Sequence, residues 1–194
     1  MLMISGDLEK VEQELSVAGL RCPGCAGRLA RWGWARTRTV RLVDGEVRVQ
    51  PRRARCVGCG CTHVLLPDDL LCRRRDGVEV IGAALVAHAA GAGHRPIAAQ
   101  LGLPPATVRG WLRRFRARAV SIAAFFTRWV LVLSPGSDPP VWTGQVVGDA
   151  VEAVGVATRA AVWRFGPRRA WPTAARLSGG GLLSNTSCLW SEPV

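Results

Sequence analysis

The spacing of hydrophobic and polar positions divides the chain into a strand-like first third and a helical remainder. Residues 1–20 read as a short amphipathic helix or a loose leader. Within residues 21–66, Thr37–Leu42 alternates β-branched residues with arginine, the period of a half-buried strand. Asp44-Gly45 is a strong hairpin signal, and Glu46–Gln50 reads as the return strand. Pro67-Asp68-Asp69 breaks the pattern and suggests a linker.

From Gly77 the period becomes helical. Val78, Ile81 and Leu85 share a face, which predicts a first helix to about Ala90, ended by Gly91–His94. A second helix is expected from Arg95 to Leu101, followed by a Gly102-Leu103 turn. Pro104-Pro105 opens a third helix, where proline is tolerated because the first N–H groups have no intrahelical partner. Val108, Trp111, Leu112, Phe115, Ala119, Ile122, Phe126, Trp129 and Leu133 keep one face at spacings of three and four, so this helix is expected to run long. Ser134–Pro140 reads as a loop and about 144–165 as a fourth, Ala- and Val-rich helix. The remainder from Gly166 reads as a weakly structured tail. No internal repeat is evident.

Composition adds a bias in charge. The 194 residues are 48% apolar, enough to bury a core in one ordinary domain or two small ones. The net charge of +12 is concentrated: residues 21–118 hold nineteen arginines against six acids, whereas residues 1–20 are net acidic. A clustered basic field points to a polyanion. An arginine-rich composition also follows from a GC-rich coding background, so charge alone does not decide. Met1–Leu20 lacks the basic start and apolar run of a signal peptide. The most apolar stretch, Ser121–Leu133, is short and carries Arg128. A cytoplasmic, nucleoid-associated protein is the resulting expectation. Its seven cysteines then read as metal ligands or free thiols before disulfides.

Cys22-Pro-Gly-Cys25 and Cys56-Val-Gly-Cys59 form two C-x-x-C pairs on either side of the predicted hairpin. Two thiolates on one ion need a tight turn, and glycine before the second cysteine is expected to supply it. Four thiolates make a closed tetrahedral site for one structural Zn²⁺, with no open position for catalysis. A module of this size cannot fold on its apolar surface alone, and ligation contributes on the order of 10 kcal/mol. The alternatives are free thiols, or a redox pair, which the strand context disfavours. Cys61 is a possible substitute for Cys59, His63 reads as a loop residue, and Cys72 and Cys188 read as unligated.

Residues 95–114 have the pattern of a helix-turn-helix. Ala98 is small where two helices cross, Gly102 sits at the turn, and Ile97, Leu101, Leu103, Val108 and Trp111 pack the pair. Ala106, Thr107, Arg109, Gly110, Arg113 and Arg114 remain outward, the polar basic face that a recognition helix presents to double-stranded DNA. Arg109 and Arg113 are the expected base contacts. Arg114 and Arg116 point toward phosphates, and Arg52, Arg53 and Arg55 on the ribbon are expected to grip the backbone. The competing reading is an ordinary helix pair with a solvated basic face. His94 reads as solvated or capping, and His88 as a core or groove residue. The apolar stripe of Ile122, Phe126, Trp129 and Leu133 must be covered by the fourth helix or by a second copy, a possible homodimer.

Cys22, Cys25, Cys56 and Cys59, followed by Ala98, Gly102, Val108 and Trp111, resemble actinobacterial zinc-ribbon plus helix-turn-helix proteins similar to the N-terminal DNA-binding region of insertion-sequence transposases. The resemblance spans about residues 20–118. It implies a mainly α fold with a small β zinc ribbon, followed by a helix-turn-helix and long C-terminal helices. The expected segments are a leader (1–20), zinc ribbon (21–66), helix-turn-helix (77–118), helical extension (119–165) and flexible tail (166–194). Full transposases continue into a domain whose spaced carboxylates hold two metal ions. Here only Asp138, Asp149, Glu152 and Glu192 follow residue 118, so no catalytic residue and no enzyme activity are expected. The expected function is sequence-specific DNA binding, as a transposase-derived protein or transcriptional regulator. The alternatives are a zinc-ribbon assembly factor and the DNA-binding part of an active transposase.

Overall fold

The computed structural model describes residues 1–183. Six strands come first, interrupted by one helix: β1 (Leu2–Ile4), α1 (Leu8–Ser16), β2 (Leu29–Trp34), β3 (Arg38–Leu42), β4 (Gly45–Val49), β5 (Arg52–Cys56) and β6 (Thr62–Pro67). Six helices follow: α2 (Val78–Ala89), α3 (His94–Leu101), α4 (Pro105–Arg116), α5 (Ala119–Leu133), α6 (Val146–Phe165) and α7 (Ala170–Leu177). The protein is therefore mainly helical with a small β part, as expected. No helix among the described residues is long and apolar enough to cross a membrane.

The sheet is built around the cysteine pairs. Its order is β1-β6-β5-β2, with β1 parallel to β6 and the other pairs antiparallel. The hairpin predicted from Asp44-Gly45 forms as β3–β4, with Leu42 opposite Gly45, but it is a separate two-stranded sheet. The strands that frame the cysteines are β2, β5 and β6, which carry too little alternation to be read from sequence. In β2 the register shifts between Arg31 and Gly33, and this bulge bends the sheet edge.

Residues 1–20 are an integral layer. Asp7 caps α1, accepting from the Glu9 and Lys10 backbone N–H groups at 3.0 and 3.2 Å. Val11 and Leu15 of α1 are buried against Leu29, Ala54 and Leu65 of the sheet. The tail also departs from expectation. Residues 166–183 contain α7, whose Ala174 and Ala175 are fully buried. Trp171 of α7 packs over α2 so closely that a Cβ on Gly82 would lie 2.3 Å from its ring. The small side chains give the tail little hydrophobic signature, which is why it reads as loose.

The expected long third helix is two helices. The helical path breaks at Arg118, where φ is −124° and ψ is 7°. One non-helical residue redirects the axis while leaving the apolar stripe on the inner side, so periodicity alone does not register the break. After it, Ile122, Phe126 and Val130 of α5 pack with Ala150, Ala153, Val154 and Ala157 of α6. Leu133 packs with Ala160 and Ala161. The alanines let the two helices approach closely. The stripe is thus covered within the chain, and the argument for a second copy from this stripe falls away. Pro67-Asp68-Asp69 is a junction instead of a loose linker: the Val78 N–H donates to the Asp69 carbonyl at 2.8 Å, and Asp68 and Asp69 pair with Arg176 and Arg169 of the α7 region.

Candidate functional site

Both cysteine pairs fold into the same turn. The Ala26 N–H donates to Cys22 O at 2.8 Å, and the Gly60 N–H to Cys56 O at 3.0 Å. The Cys22 N–H donates to Gly27 O and the Cys56 N–H to Cys61 O, each at 2.8 Å. The left-handed residue in each turn follows the second cysteine: Ala26 has φ 55° and Gly60 φ 73°. Gly24 and Gly58, expected to supply that geometry, do not adopt it. Register does the rest, because Leu29 of β2 lies opposite Cys56 of β5 and brings the first turn beside the second.

The four Sγ atoms lie within 4.8 Å of one another. Cys25 and Cys56 sulfurs are 3.4 Å apart, and those of Cys22 and Cys59 are 3.8 Å apart. A tetrahedral ion with bonds of about 2.3 Å would set its sulfurs about 3.8 Å apart. The cluster therefore has room for a metal ion, and all four thiols are free of disulfides. Gly27 completes the cradle: a Cβ there would lie 2.9 Å from Cys56 Sγ and 3.3 Å from Cys25 Sγ. Proton-sharing among the sulfurs is uneven. The Cys56 thiol is pulled down to about 6, first by the Cys59 backbone N–H. Cys59 is pushed up to about 12: the Cys61 backbone N–H pulls it down, but the neighbouring sulfurs of Cys25, Cys56 and Cys61 outweigh that bond. A cation at the centre removes this repulsion and favours four thiolates.

Cys61 is exposed and stands outside the four-sulfur group. His63 is no loop residue. It lies on β6, is buried, and its Nε2 sits 3.4 Å from Cys22 Sγ. An imidazole in that position would orient and support the Cys22 sulfur if the four thiolates held an ion. Cys72 is half-buried and away from the cluster. Cys188 lies outside the described residues.

The second feature is α4. Gly102 ends α3 with φ 63° and ψ 34°, and the Leu103 N–H returns to Ala98 O at 2.9 Å. Pro104 and Pro105 then start α4. Ile97, Ala98, Leu103, Val108, Trp111, Leu112 and Phe115 are buried in one core, against which half-buried Leu101 also packs. The opposite face of α4 exposes Ala106, Arg109, Arg113 and Arg116. Arg109 and Arg113 are one turn apart. Thr107 is half-buried, and half-buried Arg114 folds back so that its Nη1 donates to Gly110 O at 3.0 Å.

The arginines of β5 separate. Arg52 is only 8% exposed, pairs with Glu12 at 2.7 Å, donates to Gly33 O at 2.9 Å and lies 4.5 Å from the Trp34 ring. It is a structural residue and does not reach outward, which corrects its expected role. The cause is α1, whose Glu12 covers this end of β5. Arg53 is half-buried. Arg55 is exposed, stacked 4.7 Å from the Trp32 ring.

Sequence reasoning passed over Arg73, Arg74 and Arg75. They line a cleft of about 740 Å³ whose other wall is α4, with Arg109, Arg113 and Arg114. The run was legible as three consecutive arginines, but its place opposite α4 is set by the fold. Among the described residues, the late carboxylates form no cluster. Asp149 accepts from the Thr143 N–H (2.9 Å), the Thr143 hydroxyl (2.7 Å) and the Gly144 N–H (3.1 Å), tying down the loop before α6. Glu152 pairs with Arg159 at 2.9 Å. Asp138 is exposed, and Glu192 lies outside the described residues. Among the described residues, the four cysteines are the only group of three or more potential metal-ligating side chains.

Residues 22–111 match a family described as Domain of unknown function (DUF6431). The match begins at the first cysteine of the cluster and ends at Trp111, so it takes in the cysteine cluster, α3 and the first part of α4 but stops before Arg113, Arg114 and Arg116, and it spans just short of half the chain. No curated protein and no solved structure matches the chain.

Proposed function

We propose that the protein binds double-stranded DNA sequence-specifically, with α3 and α4 acting as a helix-turn-helix and the four cysteines holding one structural Zn²⁺ in a zinc ribbon. The observation that carries this reading is the division of α4: Val108, Trp111, Leu112 and Phe115 are buried, while Arg109, Arg113 and Arg116 project from the opposite face. Arginine can contact guanine O6 and N7 bidentately in the major groove. The thiolate-only set suits zinc, and a closed shell of four protein ligands gives the ion a structural role. The resemblance to transposase N-terminal regions supports the same reading, of a transposase-derived DNA-binding protein or transcriptional regulator without catalytic activity of its own.

Selection from a random DNA pool tests the reading. The expected result is enrichment of a defined sequence, bound with an affinity that falls steeply with salt. No enrichment, or binding indifferent to salt, overturns it.

A second reading, a zinc-ribbon assembly factor, is favoured by Trp32 and Trp34. Both are about half exposed on β2, the free edge of the sheet. A protein that ignores DNA but is captured through these tryptophans would fit that reading.

A further inference from the structure

The cleft beside α4 is walled by arginine on both sides. Arg73, Arg74 and Arg75 form one wall, and Arg109, Arg113 and Arg114 the other. Six guanidinium groups around one cleft repel one another unless something negative lies between them. The carboxylate at its rim does not serve: Asp76 is buried and held by Arg41 Nη1 at 3.1 Å.

The loop is built to hold this arrangement. The Arg41 N–H donates to Arg75 O at 3.0 Å, the Cys72 N–H donates to Gly180 O at 2.9 Å, and Arg74 Nη2 donates to Leu183 O. Thus the β3–β4 hairpin and the segment after α7 clamp residues 72–75 in place. Arg73 itself adopts φ 58°, a conformation uncommon for a residue with a side chain. Strained backbone of this kind persists where the surrounding structure enforces it.

Two buried donors have no acceptor among the described residues. The Nε atoms of Arg74 and Arg114, one from each wall, are buried and have no hydrogen-bond partner among the described residues. Burial, followed by the nearby Arg114 charge, pulls the Arg74 pKa below its ordinary value. Unrelieved like charge lining one cleft is the complement of a phosphate group. Arg75 is paired with Glu46 at 3.0 Å, but the pair is exposed and is exchanged for a phosphate at little cost.

We propose that the Arg73–Arg75 loop, facing Arg114 of α4 across the cleft, forms a clamp for the phosphodiester backbone of double-stranded DNA, fixing the register of α4 on the duplex while Arg109 and Arg113 read bases. This rests on the DNA-binding reading of α4 and adds to it a second wall that contacts backbone and no base. Phosphate contacts position a protein on the duplex but carry no sequence information directly. Loop and helix should therefore fail differently.

The experiment compares full-length Arg73→Asn/Arg75→Gln with wild type, by salt titration of binding to the selected duplex and to a scrambled one. Asparagine at 73 tolerates the left-handed backbone, so the variant removes charge without new strain. A lysine variant, Arg73→Lys/Arg75→Lys, keeps the charge and controls for folding. The expected result is binding weakened on the order of tenfold on both duplexes, with the ratio between them unchanged. The slope of log affinity against log salt should be shallower by about two. The lysine variant should recover most of the loss and all of the slope. If the neutral variant keeps wild-type affinity and slope while Arg109→Ala/Arg113→Ala loses site preference, the clamp is wrong and the reading of α4 stands. If the ratio between the duplexes collapses in the loop variant, the loop reads bases and the clamp is equally wrong. Wild type that binds neither duplex overturns the clamp and the DNA-binding reading together.

Discussion

Replacing Gly27 by alanine should weaken the proposed metal centre without touching a ligand. A Cβ at residue 27 would lie 2.9 Å from Cys56 Sγ and 3.3 Å from Cys25 Sγ, whereas ordinary contact begins near 3.4 Å. The Cys56 sulfur must therefore retreat by about 0.5 Å. Metal–ligand distances in real sites hold to about 0.2 Å. The retreat cannot be absorbed by stretching a bond, so it goes into the turns that carry the cysteines. Overpacking of this kind costs about 1–3 kcal/mol. At 1.4 kcal/mol per tenfold, the affinity for Zn²⁺ should fall roughly 5- to 150-fold. Gly24→Ala is the control, because its Cβ would meet only Cys22 Sγ, at 3.9 Å. Competition against a chromophoric zinc chelator gives the affinities, and circular dichroism reports whether the fold survives. Wild-type affinity in Gly27→Ala, or an equal loss in Gly24→Ala, would refute the reasoning.

Three further outcomes follow from the packing. Phe126→Ala removes a fully buried ring from the α5–α6 core and should cost about 3–5 kcal/mol, read from denaturant unfolding of intact protein. Gly82→Ala drives a Cβ to 2.3 Å from the Trp171 ring. It should lower stability by about 1–3 kcal/mol, and pairing it with Trp171→Ala should relieve the clash; strictly additive losses would contradict that packing. Asp149 accepts three hydrogen bonds that lower its pKa, the Thr143 N–H first. Its contribution is complete above the ordinary aspartate range near 3.8 and is lost as pH falls through the lower folded value. Asp149→Asn should thus be less stable than wild type at neutral pH and converge with it in acid, and parallel pH profiles would argue against this role.

The parts of the molecule legible in the sequence are those whose chemistry is local. The C-x-x-C spacing identifies the four sulfurs because a turn of four residues carries each pair. The α3–α4 pair is legible because Gly102, Pro104 and Pro105 mark its ends and its apolar positions keep strict helical spacing. What escaped depends on partners far along the chain. Arg52 looks like its neighbours until α1 brings Glu12 over it. His63 stands beside Cys22 only because β6 pairs with β5. The Arg73–Arg75 wall depends on the segment after α7, whose serine and glycine run carries almost no pattern. The break at Arg118 has no glycine or proline to announce it, and the stripe runs through it unchanged.

The central claim is that the exposed arginines of α4 read DNA, and one comparison tests it most directly. The binding of wild type and of Arg109→Ala/Arg113→Ala to the duplex selected by the wild type is measured in moderate salt, with scrambled duplex as reference. Each lost arginine contact should cost about 1–3 kcal/mol on the selected site and relax the preference over the scrambled one, while zinc content and unfolding midpoint stay at wild-type values. A folded, metal-loaded double variant that binds its selected site as tightly as wild type would contradict the account.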